Sequence, residues 1–101
     1  MNTLSLNRTF VLNTIKSNLS HIKEFDVQRL ALFGSFTRNE QTNDSDCDIL
    51  VSFRKNTFRA YIGLRDYLEG LLNTKVDLVC EDSIKEIIKP YILKDAIWLV
   101  S

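Results

Sequence analysis

"GSFTRNEQTNDSDCDILV", residues 34–51, sets Gly34-Ser35, Arg38 and the acids Asp44, Asp46 and Asp48 ahead of an apolar run. That run, Ile49 to Phe53 with only Ser52 polar, reads as a buried strand that opens on acids. Side chains alternate along a strand, so Asp46 and Asp48 share a face and Cys47 points the other way. Three acids this close either form a solvated turn or hold something positive. A calcium loop counted from Asp44 would need Gly at its sixth position and Glu at its twelfth. Those positions are Ile49 and Lys55, which excludes it.

Working outward, Val27 to Phe33 reads as a first strand ended by Gly34, and residues 35 to 45 as a loop with one helical turn capped by Ser35. Cys47 to Phe53 is the second strand and Val76 to Cys80 the third. Between them a helix runs to about Leu72 with Asn73 as C-cap. Its predicted buried face is Phe58, Tyr61, Ile62, Leu68 and Leu72, with Leu64 and Leu71 at the edge. Arg65 falls within that arc, either snorkelling or directed at a site on the sheet edge. Leu4, Val11, Leu12, Ile15, Leu19 and Ile22 predict one amphipathic helix over roughly residues 4–23, capped by Thr3 or Asn7. Ser83 is expected to cap a helix carrying Ile84, Ile87 and Ile88. Pro90 starts a second short helix through about Ala96, and Ile97 to Val100 forms a terminal edge strand.

A strand–helix–strand unit is usually a right-handed crossover between parallel strands. Asp77, at the start of the third strand, is thereby brought to the same edge as Asp46 and Asp48. For Gly34-Ser35 to meet that edge, the first strand must run antiparallel to the second. The expected fold is α/β (α+β): a small mixed sheet packed against helices. Three clustered carboxylates do not all stay ionised without a counterion. Oxygen donors of this kind suit Mg²⁺, which keeps waters and bridges to phosphates, and two such ions fit phosphoryl chemistry. Gly34 permits close backbone approach, and the amides and hydroxyl near Ser35 suit phosphate oxygens.

The 101 residues read as one domain, residues 1–101, with 45% hydrophobic and 26% charged residues. Thirteen basic and thirteen acidic residues cancel, so overall charge makes no case for nucleic acid or a membrane surface. A chain this small often completes its apolar surface with a partner, as a homo- or hetero-oligomer. Cys47 and Cys80 are the only cysteines and His21 the only histidine, too few ligands for a zinc site. The first twenty residues lack a continuous apolar h-region and no apolar run approaches the ~20 residues of a membrane span. Buried thiols and a cytoplasmic location are the expectation.

Gly34-Ser35, Arg38, Ser45-Asp46-Cys47-Asp48-Ile49-Leu50-Val51 and Val76-Asp77-Leu78-Val79 together resemble the minimal nucleotidyltransferase (MNT) family of the DNA polymerase β-like superfamily. The likeness runs from about Val27 to Ala96. Thr37 and Asn39 depart from the small residue and the Gly that usually flank the Arg. The resemblance implies the polymerase β-like nucleotidyltransferase fold, ATP as substrate, and Asp46, Asp48 and Asp77 as metal ligands and catalytic acids. Asp77 would also receive the proton of an attacking hydroxyl. Gly34, Ser35, Arg38 and Ser45 would be nucleotide-binding. It further implies a toxin–antitoxin role, in which the MNT antitoxin transfers AMP to a tyrosine of a HEPN ribonuclease toxin (AMPylation). The alternatives are an antitoxin that neutralises by binding alone, and nucleotidyl transfer to RNA or a small molecule.

Overall fold

The computed structural model describes residues 6–42 and 45–100. Thr3, Leu4 and Asp44, all used above, lie outside the described residues. The elements in order are α1 (Arg8–Lys16), α2 (Leu19–Lys23), β1 (Val27–Phe33), β2 (Cys47–Phe53), α3 (Phe58–Leu72), β3 (Val76–Cys80), α4 (Lys89–Asp95) and β4 (Ile97–Val100). The strands form one sheet in the order β3-β2-β1-β4. β1 is antiparallel to both β2 and β4, and β2 is parallel to β3. The α+β mixed sheet and both predicted strand directions are therefore observed.

The core lies between α1–α3 and one face of the sheet. Val11, Ile15 and Ile22 from the N-terminal helices meet Leu30 and Leu32 of β1, Ile49 and Val51 of β2, and Leu64, Leu68 and Leu72 of α3. Ala31 and Leu50 project to the other face and are fully buried as well. At the sheet end far from Asp48, the Arg29 guanidinium pairs with buried Glu81 at 3.1 Å and stacks 4.2 Å from the Trp98 ring. That contact ties β4 to the short 3-10 turn Glu81–Ser83 that follows β3.

Several expectations are corrected. The N-terminal segment is two helices rather than one. Asn7 caps α1 by accepting from Phe10 N at 2.8 Å. The break comes at Ser17 and Asn18, whose side chains donate back to the carbonyls of Asn13 and Thr14 at 2.9 and 2.8 Å. Such local bonds compete with helix propagation. On α3 the buried face is Ala60, Leu64, Leu68 and Leu72, at four-residue spacing. Leu64 is central rather than marginal. Phe58 is 80% exposed, because two residues before Ala60 is about 200° around the helix. Thr57 caps the start by accepting from Ala60 N, and Asn73 ends it at φ 54°. Arg65 meets its neighbour Asp66 at 3.5 Å rather than the acids at the sheet edge. Ser83 caps no helix; its hydroxyl donates backwards to Cys80 O at 2.9 Å, and Ile84, Ile87 and Ile88 lie in turns. Pro90 is the second residue of α4, where its missing N–H costs nothing. The free thiols divide: Cys47 is buried, with burial pushing its thiol up to about 12, and Cys80 is only partly covered. His21 is exposed and stacks on Tyr67 at 4.5 Å.

The two α3 positions separate packing from surface. Leu64→Ala is expected to destabilise the fold by about 2–5 kcal/mol, as buried Leu truncations do. Phe58→Ala is expected to stay within about 0.5 kcal/mol of wild type. Urea denaturation of the two variants measures both, and equal losses would contradict the assigned helix face.

Candidate active site

The parallel pairing of β2 and β3 sets Cys47 opposite Val76 and Asp48 opposite Asp77. Cys47 N donates to Lys75 O at 2.9 Å, which carries the pairing to the strand entrance. Two carboxylates thus stand at the same rung, Asp48 partly buried and Asp77 exposed, with exposed Asp46 two residues before Asp48. On its other side Asp48 is opposite Phe33, the last residue of β1. The chain turns there through Gly34 at φ 81°, a left-handed conformation that favours glycine. A Cβ at Gly34 would run into the Asp48 carboxylate, within 3.0 Å of its Cγ. Glycine is required twice over at this point: by the turn, and by the acid packed against it.

The turn itself is a 3-10 turn, Gly34–Phe36, that begins one residue before the expected Ser35 cap. Thr37 closes it, donating from N at 3.1 Å and from Oγ1 at 2.7 Å to Gly34 O. Glu40 N donates to Ser35 O at 2.9 Å, and Arg8 of α1 donates to Thr37 O at 2.9 Å. These bonds consume the turn's carbonyls. The Ser35 hydroxyl makes no hydrogen bond among the described residues, so it stays available for an oxygen ligand. Ser45 differs: its Oγ accepts from Thr42 N at 2.8 Å and closes the loop.

Burial raises the Asp48 carboxyl to about 6, reinforced by the charges of Asp77 and Asp46 and a hydrogen bond with Asp77, with Arg38 opposing. The charges of Asp77 and Asp46 press on Asp48, and Arg38 opposes that shift without reversing it. Among the described residues no group of three acid, cysteine or histidine side chains converges closely enough to hold an ion by itself. The donor set nonetheless fits a hard cation: carboxylate oxygens only, one of them partly desolvated, beside a turn whose Ser35 hydroxyl has no hydrogen bond among the described residues. Mg²⁺ takes one or two carboxylates and fills its remaining positions with water and phosphate oxygens.

Arg38 is committed within the protein. Its Nε donates to Glu40 at 2.9 Å and its Nη1 to Asp95 at 2.8 Å. Glu40 and Asp95 escaped the sequence reading. Glu40 is an ordinary surface acid by position, and Asp95 lies 57 residues from Arg38, with no local pattern to link them. β4 supplies the link. Ile97 pairs with Leu32, which returns the chain to the Gly34 edge and sets Asp95, the last residue of α4, beside the turn. An exposed ion pair of this kind contributes ~0–1 kcal/mol. An acid in a helix's last turn opposes the macrodipole by about 0.3–1 kcal/mol. Stability therefore gives little reason for Asp95 to be acidic.

Gly34→Ala is expected to abolish activity, because the new Cβ displaces the Asp48 carboxylate. The left-handed backbone adds a folding cost of about 1–2 kcal/mol. Thermal melting beside an activity assay checks the pair, and an active Gly34→Ala protein would contradict the packing described. The pH dependence follows from Asp48. Its pKa is higher folded than unfolded, so the folded state binds the proton more tightly. This contribution is fully present below about pH 4 and is lost as pH rises through about 6. Asp48 is partly exposed, so the loss is on the order of 1 kcal/mol after screening. Asp48→Asn is expected to flatten the stability of the Mg²⁺-free protein between pH 4 and 7, measured by denaturant titration at each pH.

Residues 12–99 match the family described as "Nucleotidyltransferase domain". The "Protein adenylyltransferase MntA" of Thermococcus cleftensis is 39% identical over 94 residues, 87% of this chain and 95% of its own. A "Putative protein adenylyltransferase" of Methanocaldococcus jannaschii is 45% identical over 74 residues, 70% of this chain and 71% of its own. A solved structure described as a "putative minimal nucleotidyltransferase" superposes with a TM-score of 0.81 at 31% identity, covering 91% of this chain and 95% of its own. A crystal structure of a toxin–antitoxin with AMP-PNP superposes with a TM-score of 0.65 at 25% identity, covering 93% and 73%. The mixed sheet is accordingly that of a nucleotidyltransferase fold, and the chain belongs to the nucleotidyltransferase domain family, in its minimal branch.

Proposed function

We propose that this nucleotidyltransferase is an antitoxin that transfers AMP from ATP to a tyrosine hydroxyl of a HEPN-type ribonuclease toxin. The observation that carries the reading is the rung Asp48–Asp77 with the Gly34 turn packed against Asp48. A relative carries the name protein adenylyltransferase, and a similar fold occurs in a toxin–antitoxin crystal with an ATP analogue. A protein acceptor agrees with the surface: Ile87, Ile88 and Tyr91 expose large apolar side chains within five residues, 79%, 46% and 74% accessible.

In this mechanism Asp46, Asp48 and Asp77 would hold Mg²⁺, and the Gly34–Ser35 turn and Arg38 would receive the triphosphate. Bound Mg²⁺ supplies charge neutralisation on the phosphates and leaving pyrophosphate. Asp48 and Asp77, fixed at one rung, would hold that ion at the sheet edge. The Asp77 carboxylate, exposed at the edge, takes the tyrosine proton as the oxygen bonds to the α-phosphorus. The bond from the α-phosphorus to the bridging oxygen breaks, and pyrophosphate leaves. Positioning and charge stabilisation supply the rate.

The test incubates the protein with α-labelled ATP, Mg²⁺ and the purified product of its neighbouring gene. Label is expected on a tyrosine of that partner, and Asp48→Asn is expected to reduce it by about 10²–10³-fold, as loss of a central electrostatic group does. If the Asp46→Ala/Asp48→Ala protein restrains the toxin as well as wild type and no label moves, the antitoxin acts by binding alone. Label on RNA or a small molecule would replace the acceptor.

A further inference from the structure

Arg38 follows the proposed phosphate turn, its N donating to Ser35 O at 3.2 Å, and three carboxylates compete for its guanidinium: Glu40, Asp95 and, through its field, Asp48. If it folded onto Asp48 it would occupy the metal side of the site. It does not do so. Nε is taken by Glu40 and Nη1 by Asp95, which fixes the plane of the guanidinium from two sides and leaves the Nη2 hydrogens without a hydrogen-bond partner among the described residues. A planar fork held in this way is oriented before a phosphate arrives. Glu40 is two residues away on the same loop, with a side chain 63% exposed, so it moves with Arg38. Asp95 is 27% exposed and belongs to a different element, anchored by the pairing of β4 with β1. It is the external reference against which the loop is set. Its place at the end of α4, where the helix dipole disfavours an acid, points the same way.

We propose that Asp95 is a positioning residue for the substrate's β- and γ-phosphates, acting through Arg38. The proposal rests on the nucleotidyltransferase reading of the site and adds the group that makes it selective for a triphosphate over a monophosphate. Asp95 touches no reacting atom. It acts by holding the guanidinium beside the Gly34–Ser35 turn and away from Asp48.

Calorimetric titration with ATP and with AMP, both with Mg²⁺, and steady-state AMP transfer test it. Asp95→Asn is expected to weaken ATP binding and raise KM for ATP by about 5–10-fold, the effect of loosening one charge-assisted contact, with kcat within about 2-fold and AMP affinity unchanged. Asp95→Glu restores ATP binding to within about 2-fold, and Asp95→Ala repeats the loss without an amide. Arg38→Gln/Asp95→Asn binds ATP no more weakly than Arg38→Gln alone, because both changes remove one interaction. Melting temperatures match wild type, since the pair is exposed. Asp95→Asn binding ATP as tightly as wild type or tighter would overturn the proposal. So would a loss shared equally by AMP, or losses that add to Arg38→Gln. Wild-type protein that binds no triphosphate would overturn the functional reading as well, which separates the two failures.

Discussion

The site depends on one constraint: β2 and β3 are parallel and in a register that puts Asp48 on the same rung as Asp77. Parallel pairing demands the α3 crossover, and the crossover places the starts of both strands at one edge. Burial of Asp48, reinforced by the charge of Asp77 beside it, then raises the Asp48 pKa. A shift of one rung would separate them and turn the side chains of β3 to opposite faces. The buried residues of the two strands, Ile49, Val51 and Leu78 among them, hold that register through the core. The apolar packing of the domain thus keeps an electrostatically unfavourable pair in place.

Around this pair the remaining elements act as supports. β1 returns antiparallel and delivers Gly34 against Asp48, which leaves no room for a side chain. Arg8 of α1 holds the turn from behind through Thr37 O. β4 closes the other side of β1 and brings Asp95 to Arg38. Each contact reaches the site edge from a different part of the chain. Among the described residues they leave the Ser35 hydroxyl and the Arg38 Nη2 hydrogens without hydrogen-bond partners.

What was legible in the sequence had strong local signatures. β1, β2 and β3 were bounded correctly because short apolar runs abut Gly34, Asp46 and Lys75. The acid edge followed from strand alternation and the handedness of crossovers. The errors fell where local preferences competed nearly evenly. Apolar spacing continues across Ser17 and Asn18, yet their side chains bond back to the preceding turn and break the helix. Phe58 is apolar and falls near the α3 pattern, but it lies on the opposite side from Ala60. Ser83 resembles a cap by identity, while its hydroxyl serves the carbonyl behind it.

By itself the sequence determined the strands, the glycine turn and the three acids, written in neighbouring residues or in a two-residue period, and the strand directions, which follow from the crossover rule. The tertiary structure alone decided three things: the rung shared by Asp48 and Asp77, the lack of space at Gly34 and the partners of Arg38. The reason is physical. A strand pattern fixes which face a side chain occupies, but register and side-chain contact arise only when distant segments pack. Asp95 meets Arg38 across 57 residues because β4 pairs with β1, a fact that no local propensity contains.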